Sequence, residues 1–219
     1  SNEHLVTNPT PAVKLDDRRW MADLTSPPLG GRPLGIKTSP QYPQDVIRIV
    51  LDSNGERGLL LQDGVPGLVS YDPHIYFPVA VESGRMASTF SVLLDNQSEL
   101  VHEWRDAASS YNVGPKITLT NGAIIIDANT ISKIPTHKWI DIMVEQDLAS
   151  QDGLWSLKWR IHDSPEARWN QLGPFRFKGP KKPTRWRWIG WYSNGDLPSE
   201  TLLKNIVFTS PKQLVTHRS

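Results

Sequence analysis

The chain has no cysteine. That excludes disulfide staples, thiol nucleophiles and thiolate metal sites. It does not fix the compartment, because a domain of 219 residues buries enough surface to fold without staples. Charge of one sign is also lacking: the formal net charge is +1, so no global field favours a nucleic acid or a membrane. No apolar run approaches the roughly 18–20 residues of a spanning helix. No basic stretch followed by an apolar stretch opens the chain, so no secretory leader is legible, although a processed chain would read the same. Helix signals are few. The only candidate is SPEARWNQL (164–172), with Ser164 as cap and Pro165 in the first turn.

Strand signals fill the space that helices leave. VIRIVLD (46–52) and RGLLLQD (57–63) flank an Asn-Gly turn and predict a hairpin. Further runs follow at 75–81, 86–95, 99–105, 115–122, 123–127, 139–148, 154–163, 186–193 and 202–210. Pro78 marks its run as an edge or a bulge. About eleven short strands separated by turns predict an all-β, two-sheet antiparallel sandwich or jelly roll. Ahead of it, residues 1–45 read as a Pro/Gly-rich extension and loop, with the polar residues 1–11 at its start. The sandwich is expected over 46–210 and a tail over 211–219.

Aromatics are unevenly spread: six of nine tryptophans follow residue 154. In LWSLKWRIHD (154–163), alternation places Trp155, Leu157, Trp159 and Ile161 in the core and Ser156, Lys158 and Arg160 outside. In RWRWIGWYSNGD (185–196), the same count places Trp186, Trp188, Gly190 and Tyr192 on one face. It places Arg185, Arg187, Ile189 and Trp191 on the other. With the Trp186/Trp188 face taken as core, Trp191 is expected at the surface beside two arginines. Indole packs on the C–H face of a sugar, and guanidinium donates to hydroxyls or to an acidic group.

The order of these motifs resembles a known family. VHEWRD (101–106), YNVGPKITLTNGAIII (111–126), IPTHKWIDIMVEQDL (134–148), LWSLKWRI (154–161), FRFKGPKKPTRWRWIGWYSNGD (175–196) and LLKNIVF (202–208) follow one another. Tryptophan-led, W-x-L-x-W, W-I-G-W-Y-S and N-I-x-F strands in that order are similar to concanavalin A-like, laminin G-like jelly rolls. The likeness is to bacterial members that accompany sialidases and polysaccharide-degrading enzymes, over about residues 75–210. It implies two curved antiparallel sheets, with a sugar held on the outer face of one. Fold analogy does not by itself give activity.

Function remains divided at this point. The leading expectation is a non-catalytic carbohydrate-binding module, with acidic glycans among its candidates. Its site residues are Arg105, Tyr111, Lys158, Arg160, Arg185, Arg187 and Trp191. Its partner is an oligo- or polysaccharide, with an appended catalytic domain and an extracellular or periplasmic setting as companions; no nucleic-acid or membrane partner is expected. The alternatives are an enzyme and a domain that contacts only protein. A lyase would draw on Arg105, Tyr111 and His102 for charge neutralisation and proton abstraction. Its R-x-E-x-R and Q-x-H strands are not present, and His102 and Arg105 point to opposite faces. A retaining glycosidase would set two carboxylates about 5 Å apart on one strand. Asp141 and Glu145 occur here, but Trp139 stands where the first carboxylate belongs. The basic-aromatic stretch RFKGPKKPTRWRW (176–188) lacks any nucleic-acid motif around it. No cofactor is expected. Calcium is the one metal with candidate ligands, Asp152, Asp163 and Asp196, near turns. Lys204 stands before Asn205 where the resembling proteins often carry an aspartate, which counts against a calcium ligand there.

Overall fold

The computed structural model describes residues 15–39, 44–64, 71–148, 153–178 and 185–214. The polar residues 1–11, Asp152 and the Lys181–Lys182 part of the basic stretch lie outside them. Fifteen strands follow in order. They are β1 (Leu15–Met21), β2 (Lys37–Ser39), β3 (Val46–Leu51), β4 (Arg57–Asp63), β5 (His74–Val81), β6 (Arg85–Leu94), β7 (Glu99–Asp106) and β8 (Val113–Thr120). Then come β9 (Ala123–Ile126), β10 (Asn129–Lys133), β11 (Ile140–Asp147), β12 (Leu154–Ile161), β13 (Asn170–Arg176), β14 (Trp186–Ser193) and β15 (Ser199–Leu214).

One sheet runs β13-β12-β11-β6-β15-β4-β3, with β1 alongside the far half of β15; the other runs β10-β9-β8-β7-β14-β5-β2. Every pairing is antiparallel. The predicted two-sheet sandwich is the observed architecture. The predicted hairpin is β3–β4, with Asp52 accepting from the backbone amides of Asn54 and Glu56 across its turn.

Two expectations need correction. No helix occurs among the described residues, and the last three residues of the helix candidate open strand β13 on the sheet edge. The stretch read as an N-terminal extension contributes β1 to one sheet and β2 to the other. Pro78 stands where expected. It lies on β5 beyond the last residue paired with β2, where no ladder partner needs its missing N–H.

The facing sides of the sheets alternate cleanly. On β5, Ile75, Phe77, Val79 and Val81 are buried while the residues between them are less so. Large rings fill the middle. Trp104 meets Trp186 and Phe208 edge-on at 5.7 and 5.4 Å, and Trp191 meets Phe77 and Phe90 edge-on at 5.8 and 5.6 Å. Trp155 and Leu157 are buried as predicted, and Trp159 and Ile161 pack half-buried against the same core.

A buried histidine sits inside this layer. His102 is 1% exposed and stacks on Trp191 at 4.4 Å. Its Nδ1–H donates to the Gly190 carbonyl at 2.8 Å. Its Nε2 then accepts from the Ser88 hydroxyl at 2.6 Å, with the Trp104 indole N–H 3.3 Å away. Burial depresses its pKa from 6.5 to about 3, against the opposing pull of the Gly190 carbonyl. The unfolded chain therefore takes up a proton that the folded chain refuses. Stability is intact above the unfolded value and is lost as pH falls toward the folded one. Each unit below 6.5 removes up to about 1.4 kcal/mol. From pH 7 to pH 5, this group is expected to cost about 2 kcal/mol, or roughly 4–8 °C in melting temperature. Calorimetry of the wild type and His102→Gln across that range checks it. The slope should flatten in the variant, and an unchanged slope would assign the acid sensitivity elsewhere.

Candidate functional site

The geometry of the seven-stranded sheet's outer face follows from one irregularity. The register of β14 breaks between Trp186 and Trp188 on both sides: across this step it has one residue more than β7 and one fewer than β5. An extra residue in one strand shifts the phase of everything after it. Trp186 points inward and is fully buried; Arg187 is exposed; Trp188 is half-buried on the outer face. Beyond the bulge, Ile189 and Trp191 face inward and are fully buried. The surface role expected for Trp191 is thus wrong, and the core role expected for Trp188 is wrong for the same reason. Unbroken alternation cannot be counted through a bulge.

Trp188 has room because Gly190 lies beneath it. A Cβ at residue 190 would collide with three carbons of the indole's benzo ring. The ring stands between neighbours from the adjoining strands. Tyr76 on β5 stacks at 5.5 Å with 21° between planes, and the Arg105 guanidinium from β7 lies 3.7 Å from the ring centre. The row continues at both ends. His74 stacks on Tyr76 at 5.9 Å, and Tyr111, in the β7–β8 turn, sits 4.3 Å from Arg105. Flat groups therefore face one another across three strands, with Arg105 held between two aromatic faces.

Beside this row lies a recess of about 300 Å3 lined by Tyr71, Glu103, Arg105, Tyr111, Val113, Lys116, Tyr192 and Asn194. Glu103 is 3% exposed and forms its floor. Its carboxylate accepts from Arg105 Nε at 3.3 Å and from the Tyr192 hydroxyl. Burial, then the hydrogen bond and charge of Glu103, push the Tyr192 phenol well above its ordinary range. Tyr192 is therefore a fixed neutral donor rather than a base. Lys116 stands opposite Glu103 in the β7–β8 register. Tyr71 and Tyr111 are about half exposed and offer ring area to solvent.

Of the seven residues expected at a site, the structure brings together Arg105 and Tyr111. Lys158 and Arg160 lie on β12, in the other sheet, where both flank the Trp169 ring at 5.1 and 4.3 Å. There Lys158 pairs with Glu145 and Arg160 with Asp141. Arg185 pairs with Glu82 at the surface, and Arg187 is exposed beside the bulge. His102, the third member of the lyase trio, is sealed in the core, away from Arg105 and Tyr111 on the outer face. Glu103 and Asp141 belong to different sheets. Sequence reasoning missed Tyr76, Trp188, Lys116, Tyr192, Tyr71 and Asn194. Pro78 was the available signal, since it opposes Trp188 at the bulge.

At the potential calcium ligands, Asp163 lies 3.1 Å from His162, and Glu56, His162 and Asp163 come within 4.8 Å of one another. Asp196 joins no such group among the described residues. Lys204 supplies a cation nearby, 2.6 Å from Glu56 and 3.6 Å from Asp52.

No family model matches the chain, and no curated protein matches it. Solved structures do. A Shewanella oneidensis MR-1 protein of unknown function aligns over 100% of both chains at 9% identity and a TM-score of 0.55. Lectin I from Ulex europaeus, in complex with the methyl glycoside of α-L-fucose, aligns over 89% of this chain and 97% of its own, at 8% identity and 0.54. Basic winged bean lectin with Tn-antigen aligns over 91% and 99%, at 10% identity and 0.51. At these identities the likeness establishes the fold, a legume-lectin-like, concanavalin A-like sandwich.

The stacked row gives a direct test of the bulge geometry. Gly190→Ala is expected to force Trp188 out from between Tyr76 and Arg105, at an overpacking cost of about 1–3 kcal/mol. Near-ultraviolet circular dichroism and thermal melting read both effects. A variant with an unchanged aromatic spectrum would contradict the placement of the indole.

Proposed function

We propose that this protein binds carbohydrate, without turning it over, in the recess beside Arg105 on the outer face of the seven-stranded sheet. The observation that carries the reading is the recess itself: two half-exposed tyrosines over a floor of fixed, charged hydrogen-bonding groups. Its volume of about 300 Å3 sits at the small end of ligand pockets, about 300–1,000 Å3, and suits one or two sugar rings. Tyr111 supplies ring area. Arg105, Lys116, Asn194 and Tyr192 supply polar groups at defined positions. Glu103 accepts from sugar hydroxyls or keeps Arg105 in place.

The two lectins reported above were solved with sugars, which supports the class of ligand. Arg105 and Lys116 outnumber Glu103 among the charged lining groups, which favours an acidic glycan over a neutral one. Two features favour binding over turnover. Glu103 is the sole carboxylate among the described lining residues, whereas double displacement at a sugar needs two. Tyr192, held neutral, is not available as a base. A role as companion to a glycan-degrading system, outside the cell or in the periplasm, goes with this reading.

The test is titration of the protein with neutral and uronate-containing oligosaccharides, followed by intrinsic tryptophan fluorescence and calorimetry, with reducing ends and unsaturated uronate absorbance recorded in parallel. Saturable binding without product is expected. It should weaken in 0.5 M salt for acidic ligands, since about 0.1 M salt already screens beyond about 10 Å. Tyr111→Ala, a change at an exposed ring, is expected to weaken binding about tenfold, or about 1.4 kcal/mol. Full affinity in that variant would displace the site from this recess. Product release would replace binding by catalysis.

A further inference from the structure

On the outer face of the other sheet, the contacts around His162 leave a lone pair without a donor. Asp141, 7% exposed, accepts from the Ser91 hydroxyl at 2.7 Å, Arg160 Nε at 3.0 Å and His162 Nδ1 at 2.7 Å. With Asp141 as the acceptor facing Nδ1, the ring is oriented so that Nδ1–H donates to this carboxylate. The opposite nitrogen, Nε2, then directs its lone pair at Asp163 Oδ2, 3.1 Å away, with a Glu56 oxygen within 4.8 Å of both. Two acceptors at 3.1 Å repel unless something electron-deficient lies between them.

The surrounding charges indicate what that is. Asp52 and Glu56 come from the β3–β4 turn, Asp141 from β11, and Asp163 from the end of β12. Facing them are Arg160 on β12 and Lys204 on β15. Four carboxylates thus meet two fixed cations. The carboxylates exceed the cations by two charges, which one divalent cation balances.

We propose that Glu56, His162 Nε2 and Asp163 form a binding site for a divalent transition-metal ion of the zinc class, with Asp141 as the carboxylate that orients the histidine. One imidazole nitrogen with two carboxylates suits a borderline ion rather than calcium, which takes six to eight oxygens. Bonds of about 2.0–2.2 Å at tetrahedral angles place ligand atoms about 3.3–3.6 Å apart. The Nε2–Oδ2 pair is already near that spacing. Asp163, with a side chain 75% exposed, is free to close the remainder, and Glu56, 55% exposed, does so by shifting from its pairing with Lys204. An exchangeable water completes the set. The backing of His162 by Asp141 is the arrangement that fixes tautomer and ring angle in metal sites.

The test titrates the whole chain with Zn2+ by calorimetry and with Co2+ by visible absorption, near neutral pH. One ion per chain is expected, with visible cobalt bands and a raised melting temperature on addition of zinc. His162→Ala should abolish the bands. Asp163→Asn, a change at a mostly exposed side chain, should weaken binding at least about tenfold and keeps the test valid if His162→Ala is unstable. Asp141→Asn should cost about 10–100-fold while leaving all three ligands in place. His74→Ala, on β5 in the other sheet, should bind the ion as the wild type does. No binding up to about 1 mM ion, about −4.1 kcal/mol, or binding unchanged by His162→Ala and Asp163→Asn, would overturn the proposal. This site and the sugar recess lie on different sheets, so either can fail without the other.

Discussion

The bulge in β14, one residue longer than β7 between Trp186 and Trp188, decides which aromatic groups hold the sandwich together and which are left for its surface. Before the bulge, Trp186 points inward to Trp104; after it, Trp191 points inward to Phe77 and Phe90. These two tryptophans are five positions apart, an odd spacing that an unbroken strand would send to opposite faces. The bulge absorbs the odd residue and lets both indoles enter the same core. It also places Arg187 and Trp188 consecutively away from the core, which begins the stacked row on the outside. Core and candidate site are thus consequences of one backbone event. The residues that make it possible are Pro78 opposite, which needs no ladder partner on its free side, and Gly190 beneath, which leaves space for the displaced indole.

The stack also restricts how a ligand can be held. Trp188 has Tyr76 on one face and Arg105 on the other. A sugar stacks on a free ring face, and this indole has none to spare. Its work is to hold Arg105 flat and at a fixed height, which a flexible side chain of about 2 kcal/mol rotamer entropy would not otherwise maintain. Arg105 in turn keeps the Glu103 carboxylate compensated at 3% exposure, where an unpaired charge would be costly. The exposed ends of the row, with Tyr111 foremost, are where ring area remains. A large aromatic at a strand's surface is therefore a support, and a smaller one in a turn is the contact.

The sequence was most legible where burial enforces alternation. The hairpin over 46–63, the Trp155/Leu157 face and the order of the closing strands were all predicted from period and turn residues. What stayed hidden was polar or irregular. LDDRRWM and NQLGPFR form β1 and β13, and neither carries a two-residue apolar repeat, because each pairs at a margin of its sheet where little is buried on one side. Ser164-Pro165 resembled a helix start, but no apolar 3.6-residue stripe follows it to be buried. Arg105 and Tyr111 were found because they are near in sequence. Lys116 and Tyr192 reach the same recess only through the β14-β7-β8 register, which pairs Gly190 with Glu103 and Glu103 with Lys116. Pairing between strands far apart in the chain has no local signature.

The concentration of tryptophan after residue 154 follows from the same topology. Strands β12 and β14 belong to different sheets and bring indoles to the core from opposite sides: Trp155 from one, Trp186 and Trp191 from the other. Their indole nitrogens are handled differently. Trp155 donates to the Arg176 carbonyl and Trp186 to Gln146 Oε1 on the facing sheet. Trp191 has no partner for its Nε1. That orphan donor lies in the ring cluster that also encloses His102, so two polar groups share the most tightly closed part of the core. One is satisfied through its ring nitrogens, while the other carries the cost of an unmade hydrogen bond, about 1–3 kcal/mol. The molecule tolerates that cost where Trp191 contacts Phe77, Phe90 and His102 at once, since a buried indole removes roughly 150–250 Å2 from water. Replacing it by a smaller ring would gain a satisfied donor count and lose the wedge that keeps both sheets apart at this point.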